Sequence, residues 1–364
     1  MAHGYLLEIS VEEDGLMVEV HWERYPQVSE TERVRTWLQI QANLGLAANT
    51  VDAYARALEE YLALCRRSDV VAESATKEHI SWYVHDLMTR PNPRGEKITV
   101  LDSGVGLANA TLHQRLTAIR LWYDYLVEEG LRETNPVGRG RYTPGKMVYG
   151  KQERGLIPRL RKLPWIPNEE QWKGIIEATR TEPVRNRVML ALAYDAALRR
   201  EELCSLFTSD IDPAQRLLSI RAETTKNRRA RVVPYSEATA QLYMSYLRER
   251  RAFSRSRGPL FLSDSNRNRT QPITIWTWSK VIEGIAKRSG VAQLSTHTFR
   301  HLRLTDLARS GWDIHEIATF AGHRSVESTL QYIHLSGGDL ASKLERGMNS
   351  LHAWRVKMIA EEFK

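Results

Sequence analysis

The sequence predicts a mainly α-helical protein with one small β-sheet, divided into an all-α N-terminal domain and an α+β C-terminal domain. Three observations carry that prediction. Apolar residues between positions 29 and 130 recur at helical spacing, with no strand-like run among them. Two short β-rich runs, Leu217-Leu218-Ser219-Ile220 and Arg231-Val232-Val233-Pro234, stand alone in an otherwise helical second half. Between the halves lies a basic stretch broken by prolines and glycines, a composition that opposes regular structure. The length of 364 residues suits two domains, and 42% hydrophobic residues suffice for a core in each, which excludes a globally disordered chain.

In chain order, residues 1–26 read as a β-hairpin extension. Leu7, Ile9 and Val11 alternate with polar partners, Asp14-Gly15 is a turn signal, and residues 17–22 form the return strand. Residues 27–131 form the helical domain. Ser29 is placed to cap a helix carrying Val34, Trp37, Leu38, Ile40 and Leu44. Asn49 is placed to cap a second, with Val51, Tyr54, Leu58, Tyr61, Leu62 and Cys65 on one stripe. A third helix runs over 77–88 through Ile80, Trp82, Tyr83 and Leu87. After a loop at 91–103, a fourth at 109–129 carries Leu112, Leu116, Ile119, Trp122 and Leu126 and stops at Gly130.

Residues 132–164 are a basic interdomain linker. Arg132, Arg139, Arg141, Lys146, Lys151, Arg154, Arg159, Arg161 and Lys162 face only Glu133 and Glu153, so most of the net charge of +8 sits in this strap. Such a concentration points to a polyanionic partner. Residues 165–338 form the second domain. A helix opens at Asn168-Glu169-Glu170, and another over 184–198 leads directly to Arg199. The two strands follow with Lys226 in the turn between them, then helices at 236–251, 274–288, 297–310, 313–321 and 325–334. Residues 339–364 are an amphipathic tail with Leu344, Met348, Leu351 and Trp354 at helical spacing.

Several classes are excluded. Cys65 and Cys204, the only cysteines, lie in apolar helical patterns and make neither a disulfide framework nor a zinc spacing. No acidic metal cluster and no GxxxxGK[ST] loop is present, so neither a metal nor any other cofactor is expected. The acidic N-terminal residues Glu8, Glu12, Glu13 and Asp14 are unlike a signal peptide, and no apolar run has the length of a membrane span. A soluble cytoplasmic protein with no membrane partner is expected.

The chemistry lies in polar residues at defined places: Leu198-Arg199-Arg200-Glu201-Glu202-Leu203, Thr225-Lys226-Asn227, His297-Thr298-Phe299-Arg300-His301, Gly322-His323 and Tyr332. A phosphodiester resists nucleophiles because its anionic oxygens repel them and its alkoxide leaves poorly. Without a metal, cations must bind the non-bridging oxygens, an acid must protonate the leaving 5′ oxygen, and a nucleophile must be held in line. Arg199 and Arg300 suit the first task, because a planar guanidinium stays charged and binds two oxygens at once. Lys226 on a hairpin tip suits the second. His297 and His323 can donate to the phosphate or manage the tyrosine proton, and Tyr332 can attack to form a 3′-phosphotyrosine. Singly, each residue has an ordinary reading too: His297 a helix cap, Arg199 a salt bridge, Lys226 a solvated charge beside Arg228, Arg229 and Arg231, Tyr332 a core aromatic.

Order and spacing distinguish the two. Arg-x-x-Glu-Leu ends a helix, Lys sits in a turn, His-x-x-Arg-His opens a helix, and Gly-His precedes Tyr by nine residues. The pattern resembles the tyrosine recombinase (phage integrase) family over roughly residues 165–340. The helices from 29 to 130 are similar to that family's SAM-like core-binding domain. The resemblance implies catalytic roles for Arg199, Lys226, His297, Arg300, His323 and Tyr332. It makes Glu202 a partner that orients the arginine and His301 a packing or support residue. Glu202-Leu203 at the proper distance favours Arg199 over Arg200. The family's usual glycine before Leu-Arg is replaced by Ala197, and the frequent leucine before Gly-His by Ala321.

The same resemblance implies cutting and rejoining of double-stranded DNA at inverted-repeat sites by a homotetramer, through a Holliday junction. A mobile-element integrase or transposase in a bacterial or archaeal nucleoid is expected, with accessory recombination proteins as possible partners. Candidate DNA contacts are Arg139, Arg141, Lys146 and Lys151 in the strap, and Arg56, Gln114, Arg115 and Arg120 on the second and fourth helices; those four could equally form a solvated face. The tail could complete its own core or dock on a neighbour, and exchange between protomers is the reading adopted. The hairpin is too short for an arm-site-binding domain and reads as a packing or dimer contact. Two alternatives remain open: a type IB topoisomerase-like nicking enzyme with the same residues, and a noncatalytic DNA-binding accessory protein on the same fold.

Overall fold

The computed structural model describes residues 18–90, 107, 109–137, 163–225 and 227–335. The chain divides into two compact units, Met1–Arg161 and Lys162–Lys364. Together they are mainly α-helical with one small antiparallel sheet, as the sequence predicts.

In the first unit, a 3-10 turn (Trp22–Arg24) leads into α1 (Pro26–Glu30), α2 (Glu32–Asn43), α3 (Ala48–Arg67), α4 (Lys77–Thr89) and α5 (Asn109–Glu128). The expected return strand is not formed where it is described. Residues 18–21 have no strand partner among the described residues, and Val20, Tyr25 and Val28 are buried in the helical core instead. The rest of the expected hairpin lies outside the described residues. Ser29 does not cap a helix either: Pro26, with its φ fixed by the ring, opens the short α1 around it. Thr31 is extended at φ −93° and ψ 96° and separates α1 from α2. Likewise α3 starts at Ala48, so Asn49 lies inside it.

The core of this unit is aromatic. Trp122, Tyr61, Tyr83 and Tyr123 are fully buried between α3, α4 and α5. Buried hydroxyls need partners: those of Tyr61 and Tyr123 lie 2.6 Å apart, and Tyr123 donates to the Ala72 carbonyl at 2.6 Å.

The second unit contains α6 (Glu169–Thr179), α7 (Val184–Asp195), α8 (Arg200–Cys204), strands β1 (Ile211–Asp212), β2 (Leu217–Ile220) and β3 (Arg231–Pro234), then α9 (Glu237–Phe253), α10 (Ile275–Ser289), α11 (Thr298–Arg309), α12 (Ile314–Ala321) and α13 (Glu327–Leu335). The sheet order is β1-β2-β3, all antiparallel; β1 and α8 are short elements that hydrophobic periodicity does not reveal. The register pairs Leu218 with Val233 and Ile220 with Arg231. Period-two alternation buries Leu218, Ile220 and Val233 while Val232 stays exposed. The same alternation turns Arg231 inward, so it is not a solvated charge.

Helix α7 stops at Asp195, not at 198. The buried Asp195 carboxylate accepts from the Ser236 N–H, the Ser236 hydroxyl and the Thr239 hydroxyl, which ties the end of α7 to the start of α9. Ala197 then takes a left-handed conformation at φ 47°. This reversal lets Arg199 open α8 instead of ending α7. Both cysteines are buried, and no described helix is long and apolar enough to cross a membrane. The segment 139–151 with its four candidate cations, most of the linker and the tail 339–364 lie outside the described residues.

Candidate active site

Three guanidiniums converge on one helix end. Arg199, at the N-cap of α8, reaches the Gly322 carbonyl at 3.4 Å; Arg231 of β3 donates to the Phe320 carbonyl at 3.0 Å; Arg300 of α11 donates to the Ala321 carbonyl at 2.7 Å. The last carbonyls of α12 have no partner within the helix, and the helix dipole concentrates negative charge there, so cations are favoured.

Glu202 completes the frame. It is 1% exposed and accepts from Arg199 at 2.8 Å and from both terminal nitrogens of Arg231 at 3.0 and 2.8 Å. Its second oxygen also takes the Arg199 backbone N–H at 2.9 Å. Burial alone would raise its pKa, but the hydrogen bonds and charge of Arg231 and Arg199 outweigh burial and bring the carboxyl down to about 2. Arg200, the neighbouring candidate, turns away and pairs with Glu201 at 2.8 Å. The structure therefore assigns the inward position to Arg199.

Arg300 is 3% exposed. Besides Ala321 it donates to the Ala197 carbonyl, which the left-handed turn aims inward, and to His323 Nε2 at 3.0 Å. Burial, then the charge of Arg199, pushes its pKa down to about 9, still high enough to keep it cationic at neutral pH. Because an arginine only donates, His323 Nε2 must hold a lone pair. His323 Nδ1 therefore carries the hydrogen, which goes to the Thr329 hydroxyl at 2.8 Å. Burial and the surrounding arginines hold His323 at about 3, a neutral imidazole.

Tyr332 of α13 is 1% exposed and faces this cluster. Its ring stacks on His323 at 6.1 Å between centroids and 10° between planes, and its hydroxyl lies 3.0 Å from His301 Nδ1. Burial raises the phenol's pKa, and Arg300 and Arg199 oppose that without overcoming it. His297 sits exposed at the N-cap of α11, its ring 6.2 Å from that of His301. Lys226 lies outside the described residues, while the neighbouring Asn227 amide donates to the Gly322 carbonyl at 3.4 Å.

The structure thus brings together Arg199, Glu202, Arg300, His301, His323 and Tyr332. Sequence reasoning missed Arg231, although the alternation of β3 signals its inward direction. No group of three or more potential metal ligands is present among the described residues. In the first unit, the candidate DNA contacts do not make one free cationic face. Arg115 is bound inward to Glu60 at 2.8 Å and to the Arg56 carbonyl at 3.0 Å. Arg56 pairs with Asp52, Arg120 has a buried Nε without a partner, and Gln114 is exposed.

Residues 167–337 match the model of the phage integrase family. A tyrosine recombinase XerD of Caulobacter vibrioides is 28% identical over 305 residues, covering 81% of this chain and 88% of its own. Transposase A from transposon Tn554 of Staphylococcus aureus is 25% identical over 333 residues, covering 86% and 90%. Among solved structures, the XerH site-specific recombinase bound to palindromic difH substrate aligns over 88% of this chain and 90% of its own, with TM-score 0.60 and 16% identity. The Tn1549 transposon integrase in complex with transposon right end DNA aligns over 85% and 96%, with TM-score 0.60 and 14% identity.

Two tests address this geometry. Gly322 has φ +63°, and an added Cβ would lie 2.8 Å from an Arg231 terminal nitrogen. Gly322→Ala should therefore displace Arg231 and lower unfolding free energy by about 1–3 kcal/mol in urea denaturation. The Glu202 carboxyl binds its proton less tightly folded than unfolded, its ordinary value being 4.5. The stability it contributes is complete above about pH 4.5 and is lost as pH falls toward 2. Denaturation midpoints across that window should fall less steeply in Glu202→Gln than in the wild type.

Proposed function

The chain belongs to the tyrosine recombinase (phage integrase) family, and on that premise we propose that it is a site-specific DNA recombinase of a mobile element, using Tyr332 as nucleophile. The observation that carries this reading is the convergence of Arg199, Arg300 and Tyr332 in one buried cluster that holds more positive than negative charge. Arg199 and Arg300 bind the non-bridging oxygens of the scissile phosphate. The Tyr332 oxygen attacks phosphorus, the bond to the 5′ oxygen breaks, and Lys226 supplies that oxygen's proton. The 3′-phosphotyrosine retains the energy of the broken bond, so a 5′ hydroxyl from a second duplex can reverse the step without ATP. Two rounds of exchange within a tetramer on inverted half-sites pass through a Holliday junction. The match to the Tn554 transposase across most of both chains supports the mobile-element context.

Nicked duplexes tiled across the DNA that flanks the encoding gene provide the test. A nick near the cleavage point lets the short 5′ fragment diffuse away, so the covalent adduct accumulates. The wild type is expected to form an adduct that maps to Tyr332 by mass spectrometry, and Tyr332→Phe none. Arg199→Ala and Arg300→Ala should each slow adduct formation by about 10²-fold or more. A wild-type protein that binds one of these duplexes yet never becomes linked to it would sink the catalytic reading.

A further inference from the structure

We propose that His301 is a further catalytic residue: its Nδ1 holds the Tyr332 hydroxyl, sets the phenol's direction of attack and receives its proton as the bond to phosphorus forms. The inference rests on the proposed use of Tyr332 as nucleophile. It starts from the 3.0 Å separation between His301 Nδ1 and the Tyr332 hydroxyl.

A phenol that attacks must lose one proton, and most of its neighbours cannot take it. Arg199, Arg231 and Arg300 only donate. Both Glu202 oxygens are taken by Arg199 and Arg231. The His323 Nε2 lone pair faces Arg300, and its Nδ1 hydrogen goes to Thr329. His297 stands further out, with its Nδ1 3.4 Å from the Thr296 hydroxyl. The Gln331 side chain, which also bonds the phenol, is an amide and not a base, so of the described groups in the cluster His301 Nδ1 is the one able to take the proton.

The backbone of His301 is fixed within α11. His301 is one turn beyond His297 on α11, its backbone N–H bonded to the His297 carbonyl at 2.9 Å and its carbonyl taking the Thr305 hydroxyl at 2.8 Å. Its ring lies 5.8 Å from that of Tyr332, tilted by 34°. Burial, then His297 and Arg300, holds its pKa at about 4, so at neutral pH the ring is uncharged and able to accept. A phosphodiester entering the cluster adds negative charge beside the imidazole and raises its affinity for a proton, while Arg300 and Arg199 stabilise the charge that develops on the phenol oxygen. The balance is simple. The tyrosine oxygen–phosphorus bond forms, the phosphorus–5′ oxygen bond breaks, the phenolic proton moves to His301, and Lys226 protonates the leaving oxygen. In rejoining, His301 returns the proton to Tyr332.

The full-length protein and the nicked duplex that the wild type links covalently provide the test. His301→Ala should bind that duplex with unchanged affinity and form the adduct about 10²-fold more slowly. Imidazole added to the buffer should restore part of the rate, which a purely structural defect would not allow. Placing sulfur at the 5′ bridging position lets the leaving group depart without a proton; it should relieve Lys226→Ala and leave the His301→Ala defect in place. Should His301→Ala fail to bind, His301→Asn keeps a hydrogen-bond acceptor that cannot carry the proton, and it should still be about 10-fold slow. A rate within about threefold of wild type in the variant that binds, or full relief by the sulfur substitution, overturns the role of His301. Either result would leave the wild-type adduct, and with it the reading of Tyr332, intact. Absence of the wild-type adduct would remove the nucleophile this role serves.

Discussion

Burying several like charges together is unfavourable unless each is bonded and partly neutralised. The second unit is organised around one solution to that problem. Arg199, Arg231 and Arg300 share the carbonyl end of α12, and Glu202 binds two of them at once. The local backbone follows from this arrangement. Ala197 takes a left-handed turn, which costs a residue with a Cβ about 1–2 kcal/mol, and its carbonyl meets Arg300. Gly322 supplies the left-handed end of α12 and leaves the space that Arg231 occupies.

The frame is deliberately short of negative charge. Three guanidiniums face one ionised carboxylate, and the three candidate histidines do not change that: His301 and His323 are neutral, and His297 lies at the exposed edge. The cluster therefore attracts an anion while its own hydrogen bonds keep the cations in place. On the proposed reading, a phosphodiester matches this excess of positive charge because it presents two non-bridging oxygens to planar donors. The carbonyl contacts matter as much as the charge, since they fix each guanidinium before any ligand arrives and so reduce reorganisation when charge develops.

Much of this was legible in the sequence, and the parts that were not share a cause. Long amphipathic helices such as α3, α5 and α10 show in periodicity because one face is buried along many turns. The signature positions Arg199, Arg300, His323 and Tyr332 were visible through order and spacing. Elements decided by tertiary contact were not. Helix α7 stops where Asp195 caps α9, a partner 41 residues away. Strand-like residues near Val20 became part of a helical core, because their apolar side chains fit its surface and alternation alone cannot choose between the two. Arg231 opens a β-rich run but follows the cations Arg228 and Arg229, and only its register opposite Ile220 shows that it points inside. His301 looked like support because nothing in a sequence shows which nitrogen meets a phenol.

The burial of Tyr332 follows from the same charge distribution. Its ring lies on His323 and its hydroxyl on His301, away from solvent, and burial keeps the phenol protonated despite the arginines nearby. An exposed phenolate would be available to any electrophile and would weaken the arginine cluster's pull on an anion by spending part of its charge. A neutral, sequestered phenol does neither. In the proposed reaction, a phosphodiester takes up one of the two unbalanced positive charges that three arginines and one glutamate leave, and the other remains for the charge that develops on the tyrosine oxygen. On the proposed reading, one set of fixed cations thus serves both the bound phosphodiester and the charge that develops on the reacting tyrosine oxygen.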